Sequence, residues 1–224
     1  MKESADIVKE AYEQRKSDAA VIKNNSNARY SAFIVAEREK VYREFLLSHF
    51  KDVSNKTFFE IGAGIGGNLN FFNQLGISWN NIYANELLED RFKVLSEHYP
   101  QAHLISGDAG KIKEFDGFFD IVFQSTVFTS ILDLDFKKHL ASLMWKMKKP
   151  DGVILWYDFT FDNPNNKNVK GVKLDELRSL FPNAKQFKVK RVTLAPPIGR
   201  RVGGLYSIFN IFPFLRTHLV VLIS

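Results

Sequence analysis

The chain has 224 residues, with 31 Lys or Arg against 25 Asp or Glu and a formal charge of +6. It has no cysteine, which excludes disulfides, thiolate metal sites and a cysteine nucleophile. A hydrophobic fraction of 45%, rich in Phe, suffices for the core of one domain with a modest addition.

The start, Met1-Lys2-Glu3-Ser4-Ala5-Asp6, lacks the apolar run of a secretory signal. No stretch reaches the ~20 apolar residues that span a bilayer. A cytoplasmic protein is expected. The positive balance is compatible with nucleic acid, anionic lipid or phosphorylated partners, and equally with a solvated lysine-rich surface.

Residues 1 to 50 read as helical. Ile7, Val8, Ala11 and Tyr12 share one face, and Phe33, Ile34, Glu37, Val41, Phe45 and Leu46 keep helical spacing further on. Asn24-Asn25-Ser26-Asn27 reads as the break between them. Thr57 to Ile61 is a short apolar run ending in glycines, hence a buried strand. Asn68 to Leu75 reads as a helix stopped by Gly76. Strands follow at Ile82 to Asn85, Ala102 to Ser106 and Phe119 to Phe123, with a helix from Glu89 to Tyr99 before Pro100. Phe136, Leu140, Leu143, Met144 and Met147 form one face of a helix from Asp135 to Lys149. After the turn Pro150-Asp151-Gly152, Val153 to Phe159 is a fifth strand. Leu174 to Phe181 is a short helix, and Phe187 to Leu194 and His218 to Ile223 are closing strands.

Alternating strands and helices imply an α/β, mostly parallel, doubly wound sheet. Ligands of such sheets bind beyond the carboxyl ends of the strands. The run Glu60-Ile61-Gly62-Ala63-Gly64-Ile65-Gly66-Gly67 follows the first strand. Gly62, Gly64 and Gly67 satisfy G-x-G-x-x-G, which alone also reads as dinucleotide binding or as a bare turn. Glu86 follows the second strand, where a carboxylate can accept ribose hydroxyls; a first-turn helix charge is the alternative. Asp108, in Gly107-Asp108-Ala109, follows the third strand and can accept from an adenine amino group or cap a turn. Glu60 ends an apolar strand and must find a partner there. A cationic cofactor suits it, and a pyrophosphate does not.

These residues, with Asn68 and Asp120-Ile121-Val122-Phe123-Gln124-Ser125, resemble the class I S-adenosylmethionine-dependent methyltransferases over roughly Lys56 to Phe159. The resemblance implies a Rossmann-like seven-stranded sheet with an antiparallel last strand. It also implies a helical cap or lid over residues 1–55 and a cofactor-binding domain over 56–224. It implies methionine-moiety contacts around Glu60, Gly62 and Gly64, ribose binding by Glu86 and adenine contacts by Asp108 and Ala109. Gly66, Asn68, Leu87 and Gln124 complete the expected set. Glu86 stands where the family often has Asp, which keeps the carboxylate. Arg29-Tyr30, between the N-terminal helices, is placed to close over the cofactor, with ordinary packing the alternative for Tyr30.

A narrower resemblance lies in Gln124 to Asp133, in Leu155-Trp156-Tyr157-Asp158-Phe159 and in Leu194-Ala195-Pro196-Pro197. These segments are similar to bacterial methyltransferases of surface-polysaccharide and other glycan biosynthesis, which implies oxygen methylation of a sugar in a glycan or its precursor. A small-molecule or RNA acceptor, or a non-catalytic nucleotide-binding subunit, stays open. Asp158, beside Tyr157 at the end of the fifth strand, is the first candidate base, with a turn-capping role equally open. His218 precedes a strand; it reads as structural, with an acidic-group contact as the alternative. No metal-ligand spacing is visible.

Lys185 to Arg201 is basic, and Leu205 to Phe214 is apolar and aromatic. The pair reads as an insertion packed between the last two strands, with peripheral membrane contact or a phosphate-bearing acceptor as the alternatives. It lacks the regular aromatic interleaving of a single-strand nucleic-acid platform.

Overall fold

The computed structural model describes residues 4–19, 25–163 and 166–224. Two helices come first, α1 (Ser4–Ala19) and α2 (Asn25–Phe50). Of the expected break, Asn24 lies outside the described residues, and Asn25 to Asn27 open α2.

Then the alternation begins. Strand β1 (Phe58–Ile61) leads into the six-residue α3 (Leu69–Gln74), β2 (Ile82–Glu86) into α4 (Glu89–His98), and β3 (His103–Ser106) into a single 3-10 turn. Strand β4 (Phe119–Ser125) precedes α5 (Leu134–Met147) and β5 (Lys148–Phe159). Helix α6 (Leu174–Leu180), β6 (Phe187–Leu194), α7 (Pro196–Val202), α8 (Tyr206–Phe209) and β7 (Arg216–Ile223) complete the chain.

The seven strands form one sheet in the order β3-β2-β1-β4-β5-β7-β6. The first five are mutually parallel, and β7 runs antiparallel between β5 and β6. The expected α/β sheet with an antiparallel last strand is what is found.

Strand alternation sends side chains to two cores. One holds Phe58, Ile121, Phe123, Leu155 and Tyr157 under Val41, Tyr42, Phe45 and Leu46 of α2. The other holds Phe59, Val122, Ile154 and Trp156 under Leu140, Met144 and Met147 of α5. Helix α2 therefore belongs to the main core, and the line at residue 55 marks a change of sequence pattern, with continuous packing across it. Asp120 lies at the amino end of β4. It accepts from the Thr57 backbone and pairs with Lys149 at 2.7 Å, which fastens the sheet edge opposite the glycine loop.

Candidate functional site

The first βα loop carries three glycines in the left-handed region, Gly62, Gly64 and Gly66. They differ in what they face. A Cβ on Gly62 would meet Val127 at 2.6 Å, and one on Gly66 would meet the Tyr99 ring at 2.3 Å. A Cβ on Gly64 would meet nothing within 4 Å. Gly64 borders open space, whereas Gly66 is taken up by packing on α4.

That space is a cleft of about 250 Å³, lined by Gly62, Gly64, Asn68, Glu86, Leu87 and the stretch Ser125–Val127, among others. Its outer wall is α1, through Val8 and Tyr12. Tyr12 pairs its hydroxyl with Ser130 at 3.3 Å, and Arg91 stacks on its ring at 4.5 Å. Ser4 donates to Asp133 at 2.6 Å. Two residues of the apolar stripe of the first helix, Val8 and Tyr12, thus cover the cleft. A wider groove runs between α1 and α4, lined by Lys9, Glu13, Glu89 and Lys93, away from the glycines.

Glu86 is buried, and its carboxylate organises the loop. Gly64 N–H donates to one oxygen at 2.7 Å, and Leu88 N–H donates to the other at 2.8 Å. Two bonds leave lone pairs on both oxygens.

Glu60 is fully buried behind the loop. Asn68 Nδ2 donates to one of its oxygens at 2.6 Å, and Arg38 Nη2 donates to Asn68 Oδ1 at 2.8 Å. Burial pushes the Glu60 carboxyl up to about 7 despite these contacts. Its other oxygen has no partner. Among the described residues, buried side-chain atoms without a partner are that oxygen, Arg38 Nε and the Tyr42 hydroxyl. All three belong to one electrostatically linked group, in which Arg38 acts on both Tyr42 and Glu60. Buried polar atoms are rarely left unmet, and such a gathering marks a functional place.

Other expected residues fall elsewhere. Asp108 caps the turn after β3 by accepting Gly110 N–H at 2.8 Å, and Ala109 is buried beside it. Both stand at the carboxyl edge, outside the residues lining the cleft. Gln124 is buried and spans two loops, donating to Tyr157 O and accepting from Val127 N–H. Tyr30 is not among the residues lining the cleft. It is buried against Leu194 and Tyr206 and donates to Leu194 O at 2.6 Å. A long gap in sequence places it on α2, facing the β6–β7 insertion.

Alternation along β5 separates Tyr157 from Asp158. Tyr157 faces α2, pairs with Thr193 Oγ1 at 3.0 Å and carries the Arg38 guanidinium on its ring at 5.3 Å. Burial pushes its hydroxyl up to about 12. Asp158 faces the other way and is not among the residues lining the cleft. It accepts Thr129 N–H at 3.3 Å and Phe159 N–H at 3.1 Å, and burial raises its carboxyl to about 7. It supports the loop that forms the cleft's inner wall.

That loop is under strain. Thr126 has φ +59°, a region costly for a β-branched residue, and is held by its N–H on Tyr157 O at 2.8 Å. His218 stacks on Tyr157 at 5.1 Å, and burial lowers it to about 3, which favours the neutral ring and a packing role. Tyr12, Arg38 and Arg91 join the site without a motif to mark them. Tyr12 lay on a recognised apolar face; Arg38 and Arg91 gave no local signal. No cluster of three or more His, Asp or Glu suited to a metal occurs among the described residues.

Residues 59–156 match the methyltransferase domain family. The matched segment runs from β1 into β5 and holds the glycine loop, Glu86, Asp108 and Gln124. No curated protein matches the chain in sequence. Solved structures share the fold at low identity. A SAM-dependent methyltransferase from Archaeoglobus fulgidus is 16% identical with TM-score 0.59, covering 87% of this chain and 98% of its own. A 1,6-didemethyltoxoflavin-N1-methyltransferase from Burkholderia thailandensis is 16% identical with TM-score 0.59, covering 83% and 76%. Phosphoethanolamine N-methyltransferase 2 of Haemonchus contortus is 15% identical with TM-score 0.59, covering 80% and 51%. At these identities the likeness concerns the fold.

Proposed function

We propose that the domain transfers a methyl group from S-adenosylmethionine to a sugar hydroxyl of a bacterial surface glycan or its precursor, with the cofactor in the cleft between the glycine loop and α1. The observation that carries the cofactor reading is the unmet oxygen of Glu60, buried beside a glycine loop whose Gly64 faces open space. A cationic ligand is the partner such an oxygen lacks. Glu86 then takes the ribose with its remaining lone pairs, with Leu87 beside it. Asp108 keeps one oxygen for the adenine amino group, next to Ala109. Gly62, Gly64 and Asn68 flank the methionine moiety. Gln124 shapes the wall, and residues 1–55 supply the lid through α1.

The donor brings an activated methyl group. The chain's own contribution is to align the acceptor and exclude water. Val8 and Tyr12 of α1 close the cleft over the donor, and the strained Thr126 loop sets the opposite wall. Asp158 holds that loop as a positioning residue, and Tyr157 anchors β5 to β6 through Thr193.

The acceptor assignment rests on the resemblance of Gln124–Asp133 and Leu155–Phe159 to glycan-associated enzymes. A second reading, a small-molecule acceptor, is favoured by one feature. Glu86 is the one carboxylate among the described residues lining the cleft, so a nucleophile needing no base would be served best. Labelled S-adenosylmethionine should be offered with cell-envelope carbohydrate, a small-metabolite extract and RNA. Label in carbohydrate supports the first reading; label only in small molecules or RNA overturns it. Thermal stabilisation by NADH, with none by S-adenosylhomocysteine, would overturn the cofactor reading itself.

A further inference from the structure

The segment between β6 and β7 has two unlike sides. Its inner side is tied to α2. Tyr206 stacks on Phe33 at 5.0 Å and donates to Glu37 at 2.9 Å, and Asn210 donates to the same carboxylate at 2.6 Å. Its outer side is apolar and exposed. Leu205, Ile208, Ile211, Phe212 and Phe214 are five of the thirteen exposed large hydrophobics among the described residues, and Phe214 is 77% exposed. Single exposed apolar residues are ordinary, but five within ten positions mark an interface.

Charge selects the partner. From Leu177 to Ser224 the sequence has no Asp or Glu, while it has Arg178, Lys185, Lys188, Lys190, Arg191, Arg200, Arg201 and Arg216. Arg200 and Arg201 are exposed on α7, directly before the apolar run. The exposed Arg29 joins them, its guanidinium lying against Gly204. Arginines beside exposed Phe and Ile, with no acid between, suit the boundary of an anionic bilayer. There the apolar side chains enter the acyl region and the cations meet lipid phosphates.

Topology fixes the direction of this face. Strand β6 is antiparallel to β7, which is antiparallel to β5, so β6 runs with β5. The end of β6 at Leu194 therefore lies at the sheet edge that carries the glycine loop. We propose that residues 195–215 dock the protein on an anionic lipid surface, turning the carboxyl edge of the sheet toward the bilayer.

The test is independent of methyl transfer. The full chain is sedimented with vesicles of phosphatidylcholine alone and of phosphatidylcholine mixed with phosphatidylglycerol. Binding should be at least ~10-fold stronger to the mixed vesicles. Two double variants should each lower it by ~5-fold or more, Ile211→Ser with Phe214→Ser, and Arg200→Gln with Arg201→Gln. All four residues are exposed, so unchanged circular dichroism and Tm should accompany the loss. Absence of wild-type binding to the mixed vesicles overturns the proposal. So does full binding by the Ile211/Phe214 variant, which would indicate adsorption by charge alone. Self-association abolished by that variant, without vesicle binding, would assign the face to a second copy and also overturn it.

Discussion

Arg38 and Glu60 are joined through one side-chain amide: Asn68 accepts from the guanidinium with its oxygen and donates to the carboxyl with its nitrogen. The guanidinium can only donate, so the amide turns its oxygen to Arg38 and its nitrogen to Glu60. Its orientation directs the second Glu60 oxygen, the one without a partner.

Breaking that link should loosen the cofactor. In Arg38→Gln, Asn68 loses the donor that fixes its sense. The Kd for S-adenosylmethionine should rise about tenfold, the loss of one charge-assisted hydrogen bond, with kcat less affected. Asn68→Asp should weaken binding more than Asn68→Ala, because it sets a second carboxyl against Glu60. Calorimetric titration measures both, and equal affinity in Asn68→Asp and wild type would refute the arrangement.

Glu86 supports the loop as well as any ribose. Glu86→Ala removes two backbone hydrogen bonds, to Gly64 and Leu88, from a buried place. Cofactor affinity should fall by ~10- to 100-fold, with a lower Tm in the ligand-free protein. Asp108→Ala should weaken the cofactor less, since that carboxylate bonds one turn of its own loop. An Asp108→Ala loss exceeding that of Glu86→Ala would reverse the ranking.

Asp158 distinguishes support from chemistry. Asp158→Asn keeps one acceptor for Thr129 N–H, so turnover should fall by less than ~10-fold and the pH–rate profile should keep its shape. A drop of ~100-fold or more, with loss of a limb near neutrality, would make Asp158 the base after all.

The raised carboxyls at Glu60 and Asp158 give a signed pH dependence. Their folded values, each about 7, lie above the ordinary carboxylate range. The folded state therefore holds protons that the unfolded chain has released. Stability from these groups is fully present below the unfolded value and is lost as pH rises toward 7. Melting experiments between pH 4.5 and 7.5 should show that decline, smaller in Glu60→Gln and in Asp158→Asn. Binding of the sulfonium cofactor favours ionised Glu60, so its affinity should rise over the same interval. A flat affinity profile would separate Glu60 from the sulfonium.

The sheet was readable because its signals are local. Short apolar runs ending in Gly, or followed by an acid, mark β1, β2 and β3, and the boundaries of β6 were read to the residue. The glycine loop with Glu86 and Asn68 was readable for the same reason. Tyr30 and Asp158 were placed by sequence position, while their surroundings depend on contacts across the fold. Tyr30 meets Leu194, 164 positions away, and Asp158 is taken up by Thr129 N–H, 29 positions before it. Arg38 was invisible because its partner Asn68 lies 30 residues on, and a charged residue in a long helix reads as a solvated one.

As the proposed lid, α1 would have a kinetic meaning. Helix α1 is fastened over the cleft by small contacts, a hydroxyl pair at Ser130, a ring-stacked Arg91 and a serine on Asp133. Such fastenings release on microsecond to millisecond timescales, and each catalytic cycle requires at least one release to exchange the spent donor. With α1 gating the cleft, turnover is expected to follow how long the product stays enclosed. Shaving the Tyr12 ring should make the enzyme let go sooner, and at saturating substrate it should run faster even as it holds its donor less well.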